Sequence, residues 1–264
     1  MKKVLIIGVN YNSYDYVDSF LKSINKAASL CHEAEVEVVI ADNTIENKQE
    51  INIDYDYLKV QTFSFPNLGY FGAALNVYSN LKNEYDFIAI SNIDLTMDEA
   101  FFVHLNQSTT TGIAWIAPDI YTPRTNTHEN PNLLHRPSKF KFAVWMTIYS
   151  CPLIYQLYHW LYKMRHKKPL PVSSEKYIYS GHGSFILLTS EFKKVFPQLT
   201  FPCFMYGEEI FLAELIRQTN MKVQFVPTVK IMNIGKASVN QLPSKQVFHW
   251  SKESLKYLFS HFFK

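Results

Sequence analysis

Residues 87–96 of the chain read FIAISNIDLT, an apolar run that ends abruptly on polar side chains. The four apolar residues from Phe87 to Ile90 are typical of a strand that is buried on both faces of a sheet. Asn92 and Asp94 follow at once, and Asp94 lies between two large apolar residues. A carboxylate at this point either caps a turn or is presented by the sheet edge to a ligand, and the stretch alone leaves both readings open.

The first 120 residues repeat this pattern of short apolar runs. Strands are predicted at 3–9, 35–42, 59–65, 86–91 and 112–118, with helix-length segments at 15–30 and 71–83 between them. Such an alternation predicts an α/β fold with a mostly parallel central sheet flanked by helices. Ligands of these sheets bind beyond the carboxyl ends of the strands, where Asp42 and Asp94 both fall.

The pattern changes three times along the rest of the chain. Between 121 and 180 it becomes irregular, with a stretch rich in Pro, Asn and Thr followed by an aromatic one. Regularity returns over 181–235, where strands are predicted at 183–189 and 222–227 and a helix at 206–218. The segment 236–264 predicts an amphipathic helix of basic and aromatic residues. We therefore expect one domain over 1–235 and a C-terminal tail.

Composition excludes several classes of protein. The 264 residues are 47% hydrophobic and 19% charged, which indicates a globular protein with a large core. A net charge of only +3 argues against a nucleic-acid partner. Three widely spaced cysteines read as free thiols in a reducing compartment. The first apolar run is shorter than a signal-peptide core, so we expect a cytoplasmic protein.

Candidate ligand-binding residues follow three of the predicted strands. Asp42 and Asn43 end the second strand, where an Asx turn is the simpler reading. The segment 67–76, NLGYFGAALN, places two glycines before a helix, where backbone could approach a phosphate or simply form a tight turn. Asn92 and Asp94 could turn two oxygen ligands toward Mg²⁺ or Mn²⁺. No GxGxxG sequence follows the first strand, which disfavours a dinucleotide fold.

Two adjacent acids begin the helix predicted at 206–218. Glu208 and Glu209 are favoured there by the helix dipole, which is the ordinary reading. Large apolar residues flank the pair on both sides, and carboxylates in such surroundings are costly unless they serve a function. The pair is therefore a candidate for acid–base chemistry.

In this order the motifs resemble those of the family 2 glycosyltransferases. The matching stretches are Asp42-Asn43, the spaced set Asn67, Gly69, Gly72 and Asn76, Asn92-x-Asp94, GHGSFILLTSEF at 181–192 and YGEEIFLAELIR at 206–217. The resemblance spans about residues 3–235 and is nearest to bacterial enzymes of the rhamnosyltransferase-like type. The ordered set is much more specific than any one motif.

The resemblance implies a GT-A fold and an inverting transfer from a UDP- or dTDP-linked sugar, assisted by Mg²⁺ or Mn²⁺. The acceptor would be a saccharide or a lipid-linked glycan in surface polysaccharide synthesis. Asp94 would hold the metal, Glu209 would be the catalytic base, and Asp42 would contact the nucleotide base. The resemblance places the other donor-binding residues at Asn43, Asn67, Gly69, Gly72, Asn76 and Asn92, and the acceptor-binding residues at Gly183, Ser184 and Glu208. It divides 1–235 into a nucleotide-sugar half at 1–120, an insertion at 121–180 and an acceptor and base half at 181–235.

Three positions depart from the family pattern. Two other functions are alternatives to a glycosyltransferase. The acid pair is Glu-Glu rather than Glu-Asp, and the metal motif is Asn-x-Asp. Asn233 stands where relatives usually have a histidine near the metal or the diphosphate, a role that His182 or His249 could take instead. Asn233 favours the alternative of a non-catalytic GT-A-fold binding protein or membrane-associated scaffold, whereas Asp94 and Glu209 together favour an enzyme. A nucleotidylyltransferase is disfavoured because no Gly-rich loop with Arg or Lys follows the first strand.

Aromatic residues concentrate in two segments that bear on membrane binding. The stretch 142–162 is largely apolar, but Pro152 and scattered polar residues interrupt it. Its basic flank consists of Lys163, Arg165, Lys167 and Lys168, and the tail combines lysines with Phe248, Trp250, Leu255, Leu258 and Phe262. Both segments could pack on the domain or form an oligomer interface. We expect instead peripheral attachment to an anionic membrane surface at the cytoplasmic face.

Overall fold

The structure is a computed structural model that describes residues 1–164, 175–235 and 244–264. Its strands are β1 (Lys2–Asn10), β2 (Ala34–Asp42), β3 (Leu58–Ser64), β4 (Phe87–Asn92), β5 (Leu95–Met97), β6 (Ile113–Thr122), β7 (Thr127–His128), β8 (Tyr177–Ile178), β9 (Phe185–Thr189) and β10 (Lys222–Asn233). Its helices are α1 (Tyr14–Ser29), α2 (Tyr70–Ser79), α3 (Phe101–Asn106), α4 (Lys139–Ile148), α5 (Pro152–Met164), α6 (Ser190–Val195), α7 (Glu208–Arg217) and α8 (Ser244–Phe262).

One mixed sheet runs through the molecule in the order β3-β2-β1-β4-β9-β6-β10-β5. The first four strands in this order are parallel to one another, as the sequence predicts for the first half. The strand β9 is antiparallel to both β4 and β6, so it separates the parallel set β3-β2-β1-β4 from the parallel pair of β6 and β10. The apolar run of β9 predicts a buried strand but carries no signal for its direction.

The central strands are apolar on both faces because helices cover both sides of the sheet. Leu5 and Ile7 of β1 belong to a core shared with α2, α7 and α8. Val4 and Ile6 point the other way, into a core shared with α1 and α3. Both cores are almost inaccessible to solvent, and burying each of these side chains contributes about 1.5–3 kcal/mol.

The segment 121–180 is more regular than its composition predicts. It contains the end of β6, the short strands β7 and β8, and the helices α4 and α5. Pro152 is the first residue of α5, where its missing N–H costs nothing, so the apolar stretch forms two helices. No helix within the described residues combines the length and apolar character needed to cross a bilayer. Arg165, Lys167 and Lys168 lie outside the described residues.

The C-terminal helix α8 packs its apolar face on the domain. Leu258 is fully buried, and Leu255 and Phe262 contact the same core as α7. Trp250 stacks on Phe204 with ring centroids 4.7 Å apart. For this segment the packing interpretation is correct, and its main apolar side chains are not free to meet a membrane. The boundary at 235 stays a prediction, since 236–243 lie outside the described residues.

Candidate functional site

A cleft of about 610 Å³ opens at the carboxyl ends of β1 and β4. The predicted site residues that line it are Asn43, Asn67, Gly69, Asn92, Asp94, Gly183, Ser184, Glu208 and Glu209. These residues come from five separate parts of the chain, and the fold brings them to one place. The location agrees with the rule that α/β sheets bind ligands at this edge.

One wall of the cleft is the turn after β4. Asn92 ends the strand, and its N–H donates to the carbonyl of Ser184 at 2.9 Å, which joins this wall to the loop before β9. Asp94 lies two residues further on and is only 8% exposed, although it lines the cleft. The apolar neighbours Ile93 and Leu95 are buried in the α1 core and hold the turn in place. The sheet edge therefore presents Asp94 to the cleft.

The chemistry of this wall fits a divalent cation whose remaining ligands are supplied by the substrate. Asp94 and Asn92 offer hard oxygen atoms, which Mg²⁺ and Mn²⁺ prefer. No group of three or more His, Cys, Asp or Glu suited to hold a metal occurs within residues 1–164, 175–235 and 244–264. Mg²⁺ is often bound by one or two carboxylates together with substrate phosphates, and this donor set fits that mode.

The opposite wall is the first turn of α7. Tyr206 and Gly207 precede it with φ angles of 71° and 85°, a sharp turn that aims Glu208 and Glu209 at the cleft. A side chain at Gly207 would lie 2.7 Å from Leu258 of α8, so only glycine allows α8 to pack there. Ser254 of α8 donates to the carbonyl of Met205 at 2.7 Å. The C-terminal helix therefore supports the turn that positions the acid pair.

Burial dominates the electrostatics of the acid pair. It raises the pKa of Glu208 to about 8, with a further contribution from the negative charge of Glu209. Burial also raises the pKa of Glu209, and the nearby His182 opposes that shift. The Oε2 atom of Glu208 is buried and has no hydrogen-bond partner in the described part of the chain. At neutral pH the pair therefore holds a proton, which the two interacting carboxyls share.

Gly183 and Tyr70 complete the surroundings of the acid pair. A side chain at Gly183 would lie 3.0 Å from Glu208 Oε1, so glycine lets the carboxyl pack against the loop before β9. Tyr70, the first residue of α2, donates from its hydroxyl to the carbonyl of Gly183 at 2.8 Å. Burial, and then the charges of Glu208, Asp94 and Glu209, raise the pKa of Tyr70 well above its ordinary value. Tyr70 therefore lies among all three carboxylates, and sequence reasoning missed it.

The loop before α2 is fixed by Asn43. Its side-chain amide donates to the carbonyl of Gly69 at 2.9 Å and accepts from the N–H of Leu68 at 3.1 Å. Gly69 has a φ of 77°, and a Cβ there would lie 2.1 Å from the carbonyl oxygen of Phe204. The close backbone approach that the glycine permits is therefore to the segment before α7. Asn43 and Gly69 shape the cleft as well as lining it.

Three predicted donor-binding residues do not line the cleft. Asp42 is 3% exposed, and its carboxylate accepts hydrogen bonds from Asn10, Tyr14 and the N–H of Thr44 at 2.7–3.1 Å. Gly72 lies inside α2, and Asn76 faces a different cleft beside the edge strand β3. The helix α2 turns Gly72 and Asn76 away from the cleft, and a role of these three residues in donor binding stays a prediction.

The other lining residues include one that departs from the family pattern and several that sequence reasoning missed. Asn233 donates from its amide to Glu129 at 2.9 Å and accepts from the N–H of Gly235 at 2.9 Å, so it holds the end of β10 in place. Arg124 is the only Lys or Arg among the described residues that line the cleft. Phe204 and Trp250 add an aromatic side. No local pattern in the sequence marks these residues as neighbours.

Comparison with known proteins identifies the fold. No family model matches the sequence, and no curated protein matches it. The structure of GalNAc-T7 with UDP, GalNAc and Mn²⁺ aligns with a TM-score of 0.61 at 12% identity, over 98% of this chain and 48% of that one. Staphylococcus aureus TarS aligns at 0.55 and 15% identity, over 88% of this chain and 36% of that one. The Pyrobaculum calidifontis mannosyltransferase PcManGT with GDP-Man and Mn²⁺ aligns with a TM-score of 0.53 at 10% identity, over 98% of this chain and 74% of that one.

The fold is GT-A. This confirms the fold class expected from the sequence, with a large central sheet flanked by helices. The chain spans about half the length of GalNAc-T7 and about a third of TarS. At these identities the likeness establishes the GT-A fold, and function has to be argued from the cleft itself.

Proposed function

We propose that the protein is an inverting glycosyltransferase that moves a sugar from a nucleoside diphosphate to an acceptor hydroxyl. The observation that carries this proposal is the arrangement of acids on opposite walls of one cleft. Asp94 offers a hard oxygen ligand at the sheet edge, whereas Glu208 and Glu209 form a half-buried pair with raised pKa values. Environments that separate two acids in this way assign them different roles.

Glu209 acts as the catalytic base. When the proton of the pair is on Glu208, the ionised Glu209 accepts the proton of the acceptor hydroxyl. The acceptor oxygen then forms its bond to the anomeric carbon, and the bond from that carbon to the diphosphate breaks with its electron pair leaving on the diphosphate oxygen. Attack opposite the leaving group inverts the anomeric configuration. Tyr70 and Gly183 hold the acid pair in place during this step.

The donor lies between Asp94 and the loop 67–69 in this proposal. Asp94 and Asn92 would hold Mg²⁺ or Mn²⁺ together with the diphosphate, and the bound cation would neutralise charge on that group. Asn43, Asn67 and Gly69 would border a uridine or thymidine nucleotide. Asp42 would support the cleft indirectly, by accepting hydrogen bonds from Asn10 and Tyr14 and holding them in place.

The acceptor would enter near Glu208, Gly183 and Ser184. Phe204 and Trp250 lie on this side and offer aromatic faces of the kind that pack on sugar rings. A saccharide or lipid-linked glycan of a surface polysaccharide fits this chemistry, with a deoxyhexosyl donor of the rhamnosyl type as one choice.

We also propose peripheral attachment to the cytoplasmic face of a membrane through α4 and α5. Unlike α8, these helices expose large apolar side chains, with Phe140 at 79%, Leu153 at 74% and Leu157 at 56%. Lys139 and Lys141 are exposed beside them. Sedimentation with vesicles containing anionic lipid should deplete the protein at low salt and less so at high salt. Leu153→Ser with Leu157→Ser should abolish the binding, and a wild-type protein that stays in the supernatant at low salt would refute this proposal.

The transferase proposal is tested by thermal stabilisation. A panel of UDP- and dTDP-sugars should raise the melting temperature more with Mn²⁺ than with EDTA, since a ligand specific for the folded state stabilises it. Asp94→Ala should remove the metal-dependent part, whereas Asp54→Asn, on an exposed loop outside the cleft, should not. Absence of stabilisation by every sugar nucleotide contradicts the proposal. Stabilisation without any transfer or hydrolysis would favour a non-catalytic binding protein.

A further inference from the structure

His182 lines the cleft and is held there by hydrogen bonds to its backbone N–H and to one ring nitrogen, Nδ1. It lies on the loop between β8 and β9, and its side chain is 39% exposed. Its backbone N–H donates to Asn130 Oδ1 at 2.7 Å. Its Nδ1 atom lies 2.8 Å from Ser184 Oγ and 3.4 Å from Glu129 Oε2. These contacts fix the ring through Nδ1 and leave Nε2 as the nitrogen available to a ligand.

The contact that decides the protonation of the ring is the backbone N–H of Ser184. It donates to His182 Nδ1 at 3.2 Å, and a backbone N–H cannot reverse this role. Nδ1 is therefore the acceptor, so the neutral ring carries its proton on Nε2. A doubly protonated ring also carries an N–H at Nε2, because both nitrogens of an imidazolium are donors. In both forms His182 presents a donor at Nε2.

A donor at this position suits an anion and not a cation. A metal ion binds a nitrogen lone pair, and Nε2 has none to offer while it carries a proton. The same cleft contains the carboxylates of Asp94, Glu208 and Glu209, and Arg124 is its only Lys or Arg among the described lining residues. The diphosphate of a nucleotide sugar therefore meets few positively charged groups in this cleft, and a further hydrogen-bond donor would stabilise it.

We propose that the Nε2–H of His182 donates a hydrogen bond to the diphosphate of the donor substrate. This inference rests on the proposed function and names a leaving-group contact within it. As the bond from the anomeric carbon breaks, its electron pair becomes negative charge on the diphosphate, and the hydrogen bond strengthens as that charge develops. His182 is thereby a catalytic residue, and Glu129, Asn130 and Ser184 are positioning residues.

The test measures binding of UDP, dTDP and uridine by titration calorimetry, in EDTA and in Mn²⁺. His182→Ala should weaken nucleoside diphosphate binding about tenfold or more under both conditions, the loss expected for a hydrogen bond to a charged group. Uridine binding should not change. His182→Gln retains a side-chain N–H and should restore part of the affinity. His249→Ala is the matched control, because His249 is 65% exposed on α8 and does not line the cleft.

Each alternative gives a different result. If His182→Ala binds UDP and dTDP as tightly as the wild type does, the inference is wrong. The proposed function still holds in that case, because the wild type binds the nucleotides. A loss confined to Mn²⁺ overturns the inference in favour of a metal ligand, and an equal loss of uridine overturns it in favour of a structural role. No binding of either nucleotide by the wild type overturns the proposed function as well. Long-range ¹H–¹⁵N spectra should show the proton of the His182 ring on Nε2, and a neutral ring protonated on Nδ1 contradicts the inference.

Discussion

The two ends of α7 carry glutamates in opposite situations, one buried and one half-buried. Near its C-terminal end Glu214 is 3% exposed and accepts two hydrogen bonds from Arg136, at 2.7 and 3.0 Å, and a third from Tyr179 at 2.7 Å. At its start Glu208 has a buried oxygen with no partner in the described part of the chain, and its pKa is raised to about 8. The same residue type on one helix therefore serves structure at one end and, we propose, proton transfer at the other.

Hydrogen-bond donors around a carboxylate therefore distinguish structural from functional acids more clearly than burial does. A buried carboxylate without donors is destabilising, so a fold retains it only where the charge or the proton is used. The following variants test whether the two ends of α7 really divide the roles in this way.

The largest expected effect is on turnover at the start of α7. Glu209→Gln removes the base and should reduce sugar transfer about 10²–10⁴-fold, because that is the usual contribution of a positioned base. Nucleotide binding and the melting temperature should stay close to wild type. Initial rates of nucleoside diphosphate release measure the effect, with Glu253→Gln on the exposed face of α8 as the control. Turnover within twofold of wild type would remove Glu209 from the mechanism.

The next effect is on stability at the other end of the helix. Glu214→Ala leaves the Arg136 guanidinium and the Tyr179 hydroxyl without their acceptor. The free energy of unfolding should fall by about 1.5–3 kcal/mol, the range for hydrogen bonds to charged groups. Urea denaturation measures this loss, and activity per folded molecule should change little. A variant as stable as wild type but inactive would reverse the assignment of the two ends.

A smaller effect concerns pH. Folding raises the pKa of Glu208 to about 8, so the folded protein keeps a proton that the unfolded chain releases near pH 4–5. The folded state binds more protons between these values, so the contribution of Glu208 to stability falls as pH rises toward 8. Glu208→Gln removes this dependence. The melting temperature of the variant, relative to that of the wild type, should therefore rise as pH increases from 5 to 8. A constant difference across that range would show that the carboxyl is ionised throughout.

The sequence predicts the elements with strong local patterns. The apolar runs of β1, β2, β4 and β6 and the helices α1 and α2 lie within a few residues of their predicted bounds. The short strands β5 and β7 and the helix α3 are set by contacts across the fold and have no comparable signal. The direction of β9 likewise depends on the chain between β6 and β9, whose path no local pattern specifies.

The candidate site was predictable to the same extent. The resemblance to family 2 glycosyltransferases implied one site for Asp94, Glu209 and Gly183, and all three line the same cleft. Asp42 belongs to a motif of the same resemblance, but its partners Asn10 and Tyr14 lie about thirty residues away and convert it to a structural acid. Tyr70 lies within the segment 67–76, but nothing in that segment marks it as a neighbour of the acids. Long-range partners of this kind can be read only from the fold.

The central claim is that the cleft between β4 and α7 binds a nucleoside diphosphate sugar. A crystal structure of the protein grown with UDP or dTDP and Mn²⁺ tests it most directly, since manganese is located by its anomalous signal. We expect a manganese peak beside Asp94, with the diphosphate between Asp94 and His182 and the nucleoside toward Asn43 and Asn67. A nucleotide bound elsewhere, such as the cleft beside β3 that contains Asn76 and Lys59, with the Asp94 wall empty at saturating ligand, would contradict it.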